Sequence, residues 1–264
     1  MDKFKINGPS KIRGEVSISG SKNAALPILA ATLLFDKNVT IKNLPRVKDI
    51  DTMLNLLKSL GRKISFKNNK KIATISKGKK NNFFAPYSLV KTMRAGILVL
   101  GPLLAKNKKA KVSSPGGCSI GVRPIDIHLK AISKLGVKIQ IEKGYVNAKA
   151  QEGLVGSEIR FSKISVGATE NLILAACLAN GTTTIKNCAI EPEIKDLTNF
   201  LKTAGAKIKW IGKRTLKIEG VKTLKSITYS IMNDRIEAGT FCVAACLNGC
   251  LLYTSRAHET RSYL

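Results

Sequence analysis

The chain has 264 residues, is 44% hydrophobic and carries a formal net charge of +28, from 45 Lys and Arg against 17 Asp and Glu. The apolar content suffices for one or two packed domains. The N-terminal residues 1–5 lack the apolar core of a signal peptide, and the longest apolar run, residues 95–105, is short for a membrane span and holds Gly101 and Pro102. The expectation is a soluble cytoplasmic protein.

The excess of positive charge favours acidic partners such as phosphorylated small molecules, nucleic acid or an anionic membrane. The lysines are spread along the chain, with modest clusters at 67–71, 77–80 and 106–111. That pattern reads as solvated faces. Aromatic residues, at 5%, are too few for base-stacking platforms.

In chain order, residues 21–34 form an apolar helix that leads into an alternating strand at 39–43. A second helix, 51–60, carries Leu54, Leu57 and Leu60 on one face and ends at Gly61. A hairpin follows, with Lys63-Ile64-Ser65-Phe66 as its first strand and Asn68-Asn69 at its turn. Residues 92–113 begin the unit again. Helix 126–135 ends at Gly136, strand 138–141 follows, and Glu142-Lys143-Gly144 makes the turn. A third copy opens at 166–179, passes through strand 183–187 and helix 196–204 to Gly205, and ends in strand 207–210. Residues 235–241 begin a fourth.

The repeating unit is thus helix, strand, helix, hairpin, at a spacing of about 70 residues. The first helix of each copy is apolar nearly all round, so the helices are expected inside and the sheets outside. Each second helix opens near an aspartate suited to capping, Asp51, Asp126 or Asp196, and closes with a glycine suited to the left-handed position beyond the helix.

Of six cysteines, five lie in apolar segments: Cys177, Cys188, Cys242, Cys246 and Cys250. The last three recur every four residues on one face of a helix expected to be buried, which favours core thiols over a metal site. Cys118 is different. It sits in a loop, residues 113–124, with Gly116, Gly117 and Gly121, five residues before Arg123. A thiol near a guanidinium is poised to lose its proton.

Lys22 and Asn23 open the first helix, Arg94 opens the equivalent helix of the second copy, and Lys163, Ser165 and Gly167 open the third. A helix N-terminus offers free amides and partial positive charge to an anion. Equivalent ends of repeated units tend to converge, so one pocket holding Lys22, Asn23, Arg94, Cys118, Arg123 and Lys163 is expected. His128 is a conceivable partner for Cys118, but a histidine on a helix face is the plainer reading. Ser19 and Lys22 match an S-x-x-K pattern formally, yet Ser19 ends a strand rather than beginning a helix. Neither a Walker A lysine motif nor G-x-G-x-x-G occurs.

Five motifs carry a resemblance: Gly20-Ser21-Lys22-Asn23-Ala24-Ala25-Leu26-Pro27, Leu89-Val90-Lys91-Thr92-Met93-Arg94-Ala95, Pro115-Gly116-Gly117-Cys118-Ser119-Ile120-Gly121, Arg123-Pro124-Ile125-Asp126-Ile127-His128 and Asp234-Arg235-Ile236-Glu237-Ala238-Gly239-Thr240. Together they resemble the UDP-N-acetylglucosamine 1-carboxyvinyltransferase family of enolpyruvyl transferases, in unbroken order from residue 1 to about residue 252. The sibling family acting on shikimate 3-phosphate shares the fold but not the Pro-Gly-Gly-Cys loop.

The resemblance implies an inside-out α/β barrel of two similar domains. Residues 22–233 would be the complete first domain with three repeats. Residues 1–21 and 234–252 would be a fragment of the second, and 253–264, which lose all periodicity, a non-native tail that leaves His258 without a role. The implied reaction moves the enolpyruvyl group of phosphoenolpyruvate to the 3′-hydroxyl of UDP-N-acetylglucosamine and releases phosphate, starting peptidoglycan synthesis. By the resemblance, Cys118 is the catalytic proton donor and forms a covalent adduct. Lys22, Asn23 and Arg123 bind phosphoenolpyruvate. Asn23, Arg94, Arg123, Pro124, Ile125, Asp126, Ile127, Lys163, Ile164, Ser165, Val166 and Gly167 bind the nucleotide sugar. No metal or cofactor is implied, and neither nucleic acid nor membrane is an expected partner. The family's general-base aspartate has no counterpart in these residues, so the chain alone is expected to be inactive. A basic nucleic-acid-binding module and a thiol-dependent hydrolase are the alternatives.

Overall fold

The computed structural model describes residues 3, 5, 7–8, 11–79, 82–91, 93–114 and 125–248. The loop carrying Cys118 and Arg123 lies outside the described residues, as do Pro124, Cys250 and the tail. The chain divides into two units, one of Gly20–Met232 and the other of Met1–Ser19 with Asn233–Leu264.

The larger unit repeats one plan. The first copy contains α1 (Lys22–Ala31) with a 3-10 turn at Thr32–Leu34, β1 (Val39–Lys42), α2 (Lys48–Ser59), β2 (Arg62–Lys67) and β3 (Ile72–Lys77). A connection carries β4 (Phe84–Ala85) and α3 (Tyr87–Val90). The second copy contains a 3-10 helix (Arg94–Val99) running into α4 (Leu100–Asn107), then β5 (Lys109–Ser113), α5 (Asp126–Ser133), β6 (Lys138–Glu142) and β7 (Tyr145–Lys149). After β8 (Glu158–Arg160) come α6 (Val166–Ala176), β9 (Thr182–Lys186), α7 (Pro192–Thr203), β10 (Lys207–Gly212) and β11 (Thr215–Glu219), then β12 (Ile227–Ser230).

Among the described residues the three four-stranded sheets have one topology, β12-β1-β3-β2, β4-β5-β7-β6 and β8-β9-β11-β10. The first pair of each is parallel and the others are antiparallel. The sequence pattern missed β4, β8 and β12, which are only two to four residues long. In the second and third sheets this extra strand precedes the repeat that it joins. In the first, β12 arrives after the third repeat and pairs with β1, closing the unit on itself.

The helices fill the interior. In α1 every residue from Ala24 to Ala31 is buried, so no polar face remains to meet water. The 3-10 helix at Arg94–Val99 packs on both α1 and α6. It stands where a full α-helix was expected. Gly96 there approaches Val90 so closely that a Cβ would lie 3.0 Å from its Cγ1.

Gly61, Gly136 and Gly205 have φ of 94°, 85° and 96°, the left-handed conformation expected at those helix ends. The aspartate caps are corrected. The cap positions of α2, α5 and α7 are Val47, Ile125 and Glu191, none with a side-chain cap bond. Asp51 lies inside α2, Asp126 is the first residue of α5, and Asp196 faces Tyr229, whose hydroxyl donates to its Oδ1 at 2.6 Å. A cap is set by where the chain enters the helix, which tertiary packing decides.

In the smaller unit, α8 (Arg235–Leu247) is capped by Asp234, whose Oδ1 accepts from the amides of Ile236 and Glu237. Ser19 donates its hydroxyl to Glu237 at 2.5 Å. The expectation of core thiols on this helix is corrected: Cys242 and Cys246 are exposed, and no residue of α8 is buried. An apolar stripe is buried only where another element covers it.

Candidate functional site

Two repeat-opening helices begin in the same way. Ser21 Oγ accepts from the amide of Ala24, and Ser165 Oγ accepts from the amide of Ala168, each at 3.3 Å. One serine satisfies one amide, so among the described residues other first-turn amides of α1 and α6 remain available to an anion. Lys22 and Asn23 lie in the first turn of α1, and Val166 and Gly167 in that of α6, directly after Lys163 and Ile164. Lys163, Ile164 and Asn23 are exposed. Pro27 supplies no N–H to the carbonyl four residues earlier, that of Asn23.

Arg94 is the first residue of the 3-10 helix and is exposed. Its charge acts on His128, a buried residue of α5. Burial foremost, then Arg94, pushes the His128 imidazole down to about 4, while Asp126 opposes them. Across the helices, His128 Nδ1 lies 3.3 Å from Asn171 Nδ2 on α6. The edge of the same ring meets Gly167, where a Cβ would lie 3.2 Å from Cε1.

Asn171 is the knot of this arrangement. It is fully buried, beside Thr169 and Glu170, in a helix whose remaining residues are apolar or glycine. Its Oδ1 accepts from the amide of Gly101 on α4 at 2.7 Å, and its Nδ2 donates to the carbonyl of Ile97 at 3.0 Å. Gly101 permits the approach, since a Cβ there would stand 2.4 Å from the carbonyl oxygen of Asn171. Arg94, Asp126, His128 and Gly167 are thereby gathered around the start of α6. Ile125 and Ile127 anchor that end of α5 against the core.

Lys22 is engaged elsewhere. Its Nζ lies 3.0 Å from Oδ2 of Asp49, in the first turn of α2. Asp49 was not foreseen, and neither was Asn171; a run of three polar residues, 169–171, inside an otherwise apolar helix was the available signal for the latter. His128 follows the plainer reading of a packed helix-face histidine, with Nδ1 taken up by Asn171.

Behind the site, between α6 and α7, carboxyls crowd together. Burial, then Glu193 and Glu191, pushes Glu170 up to about 8. Burial also raises Asp196. Burial raises the Cys177 and Cys188 thiols to about 12 and about 11, which leaves both unreactive at neutral pH.

A family model described as EPSP synthase (3-phosphoshikimate 1-carboxyvinyltransferase) matches residues 6–256. The chain belongs to this family. It is 64% identical over 247 residues to the UDP-N-acetylglucosamine 1-carboxyvinyltransferase of Pelagibacter ubique (strain HTCC1062), a match covering 94% of the chain and 59% of that relative. It is 52% identical over 249 residues to the enzyme of the same name from Acinetobacter guillouiae, again 94% of the chain and 59% of the relative. The chain therefore spans less than two thirds of the length of these relatives.

Among solved structures, the enolpyruvyl transferase NikO from Streptomyces tendae superposes with a TM-score of 0.79 at 22% identity, over 91% of this chain and 56% of that one. An EPSP synthase from Acinetobacter baumannii gives 0.73 at 20% identity, over 90% and 54%. These neighbours share the fold, the inside-out arrangement of buried helices and outer sheets. No helix among the described residues is long and apolar enough to cross a membrane.

Proposed function

We propose that the chain is the part of an enolpyruvyl transferase that carries the phosphoenolpyruvate-binding lysine and the nucleotide-sugar loop, and that the enzyme joins phosphoenolpyruvate to the 3′-hydroxyl of UDP-N-acetylglucosamine. The observation that carries this reading is the pair of serine-capped helices, α1 and α6, whose open first turns bear Lys22 and Asn23 on one side and follow Lys163 on the other. Both substrates are polyanions. Paired helix N-termini with adjacent cations are suited to hold them. The identity to the Pelagibacter relative supports the sugar nucleotide over shikimate 3-phosphate as acceptor.

The roles are those that the resemblance implies. Lys22, Asn23 and Arg123 hold phosphoenolpyruvate. Asn23, Arg94, Arg123 to Ile127 and Lys163 to Gly167 hold the nucleotide sugar. In the addition step the sugar hydroxyl oxygen bonds to C2 of the enolpyruvyl group, and the Cys118 thiol gives its proton to C3. Elimination then removes a proton from C3 and expels phosphate, restoring the double bond. A thiol suits the first step because cations placed beside such a group can bring its pKa towards neutrality. The general base belongs to the part of the relatives' length beyond this chain. Residues 22–233 would form the first domain, and 1–21 with 234–252 part of the second. Both substrates are soluble metabolites, which places the work in the cytoplasm.

The test is phosphate release from phosphoenolpyruvate that depends on UDP-N-acetylglucosamine, in the whole enzyme carrying this chain. Residues 1–264 alone should not turn over. In the whole enzyme, Cys118→Asp should retain activity and resist fosfomycin, an epoxide that alkylates this thiol in the family. Equal inactivation of both forms would remove Cys118 from the mechanism.

A further inference from the structure

Asp196 of α7 is buried, and its carboxyl oxygens accept from one stretch of chain. Tyr229 donates its hydroxyl to Oδ1 at 2.6 Å, and the amide of Met232 donates to Oδ2 at 3.3 Å. Accepting on both oxygens is the pattern of an ionised carboxyl. The two bonds stabilise the charge against the burial that raises the group.

Met232 passes the constraint on. Its carbonyl accepts from the amide of Ser21 at 2.8 Å. Ser21 is itself buried and caps α1 through the amide of Ala24. The neighbouring Ile231 is fastened to the end of β1 at both polar groups. Its amide donates to the Lys42 carbonyl at 3.1 Å, and its carbonyl accepts from Asn43 Nδ2 at 3.0 Å. A Cβ at Gly20 would collide with the carbonyl of Asn43, so the backbone entering α1 has no room on that side. Gly20 and Met232 are the points where the chain enters and leaves the larger unit. The first turn of α1 is therefore tied to the 229–232 stretch, and Asp196 ties that stretch to α7.

We propose that Asp196 is a positioning residue for phosphoenolpyruvate binding: through Met232 and Ser21 it fixes the first turn of α1, and with it Lys22 and Asn23. The inference rests on the reading of Lys22 and Asn23 as phosphoenolpyruvate-binding residues. A side chain that holds an anion does so only if its own backbone stays within about 0.5 Å of the productive place. Asp196 acts on that backbone from another helix, through the Met232 amide and then the Ser21 amide.

The test uses the whole enzyme carrying this chain, with phosphate release followed at saturating UDP-N-acetylglucosamine while phosphoenolpyruvate is varied. Asp196→Ala leaves the Met232 amide unpaired. It should raise KM for phosphoenolpyruvate about tenfold and change kcat less than about twofold. Asp196→Asn should bring KM back to within about twofold, because its oxygen can accept from Met232 while its nitrogen donates to the Tyr229 hydroxyl. Tyr229→Phe removes the other bond to the same carboxyl and keeps the Met232 bond, so it should lower the melting temperature without raising KM. An unchanged KM in Asp196→Ala, no recovery in Asp196→Asn, or an equal rise in Tyr229→Phe overturns the positioning role and leaves Lys22 and Asn23 in theirs. Should Asp196→Ala fail to fold, hydrogen exchange in the unsubstituted enzyme decides. Phosphoenolpyruvate should slow the Ser21 and Met232 amides together, and slowing at one alone or at neither overturns the role. An unsubstituted enzyme that releases no phosphate overturns both this role and the reading beneath it.

Discussion

Lys22 Nζ and Asp49 Oδ2 lie 3.0 Å apart, joining the first turn of α1 to the first turn of α2. Both side chains are partly exposed, at 43% and 38%, so the pair contributes under about 1 kcal/mol to stability. Its effect falls on ligand binding, since an anion arriving at Lys22 must compete with a carboxylate already there. Asp49→Asn should therefore leave the melting temperature nearly unchanged and tighten phosphoenolpyruvate binding severalfold at low ionic strength, with the gain fading in salt. Weaker binding by this variant would mean that Asp49 orients the lysine instead.

Asn43 and Asn187 end β1 and β9 in the left-handed conformation, with φ of 55° and 57°. Each spans to the strand beside it: Asn43 Nδ2 donates to the Ile231 carbonyl at 3.0 Å and Asn187 Nδ2 to the Phe161 carbonyl at 2.9 Å. Asparagine tolerates this conformation and supplies the bond. Alanine at either position should cost about 2 kcal/mol in chemical denaturation, and glycine about half that, because it loses only the bond. Unequal costs at the two sites would argue against equivalent roles in the repeat.

Stability should vary with pH in a way set by two buried groups. Glu170, raised from 4.5 to about 8, binds a proton more tightly folded than unfolded, so its contribution falls as pH rises through that interval. His128, lowered from 6.5 to about 4, works in the opposite sense and favours folding as pH rises from about 4 to 6.5. Between pH 6.5 and 8 only Glu170 of the two still titrates. The melting temperature should decline over that span, and Glu170→Gln should flatten the decline. An unchanged slope in the variant would place the proton elsewhere.

Phe200 of α7 fills the space between Phe35, at a centroid distance of 5.6 Å, and Tyr229 of β12, edge-on at 5.4 Å. It is fully buried. Phe200→Ala should cost about 3–5 kcal/mol by lost burial and a cavity. Because Tyr229 lies on the strand that closes the first sheet, hydrogen exchange in β12 and β1 should rise with it. Exchange confined to α7 would show that closure does not depend on this aromatic stack.

Much of the repeat could be read along the chain because its rules are local. Residues 63–66 alternate and form β2; Gly61, Gly136 and Gly205 follow amphipathic helices and adopt left-handed φ. Strands β4, β8 and β12 escaped notice because they are short and lie in connections outside the repeating pattern, and each is held by its parallel neighbour. The Asp51, Asp126 and Asp196 caps failed for a related reason, since the approach of the chain sets where each helix begins, and it places Val47, Ile125 and Glu191 there instead. Lys22, Asn23, Arg94 and 163–167 were named from a resemblance in short motifs. His128 and Asn171 could not be paired that way, as nothing in spacing says that α5 and α6 meet side by side.

By itself, then, the sequence determined the repeating unit, the apolar helices that must be covered, and the motifs that mark an enolpyruvyl transferase. Periodicity, glycine placement and short motifs act over a few residues and survive without the rest of the molecule. Only the tertiary structure decided that β12 returns to β1, that Asp49 holds Lys22, and that Asn171 of α6 meets His128 of α5. Each of these joins residues far apart in the chain, and close packing rather than local preference brings them within hydrogen-bonding distance.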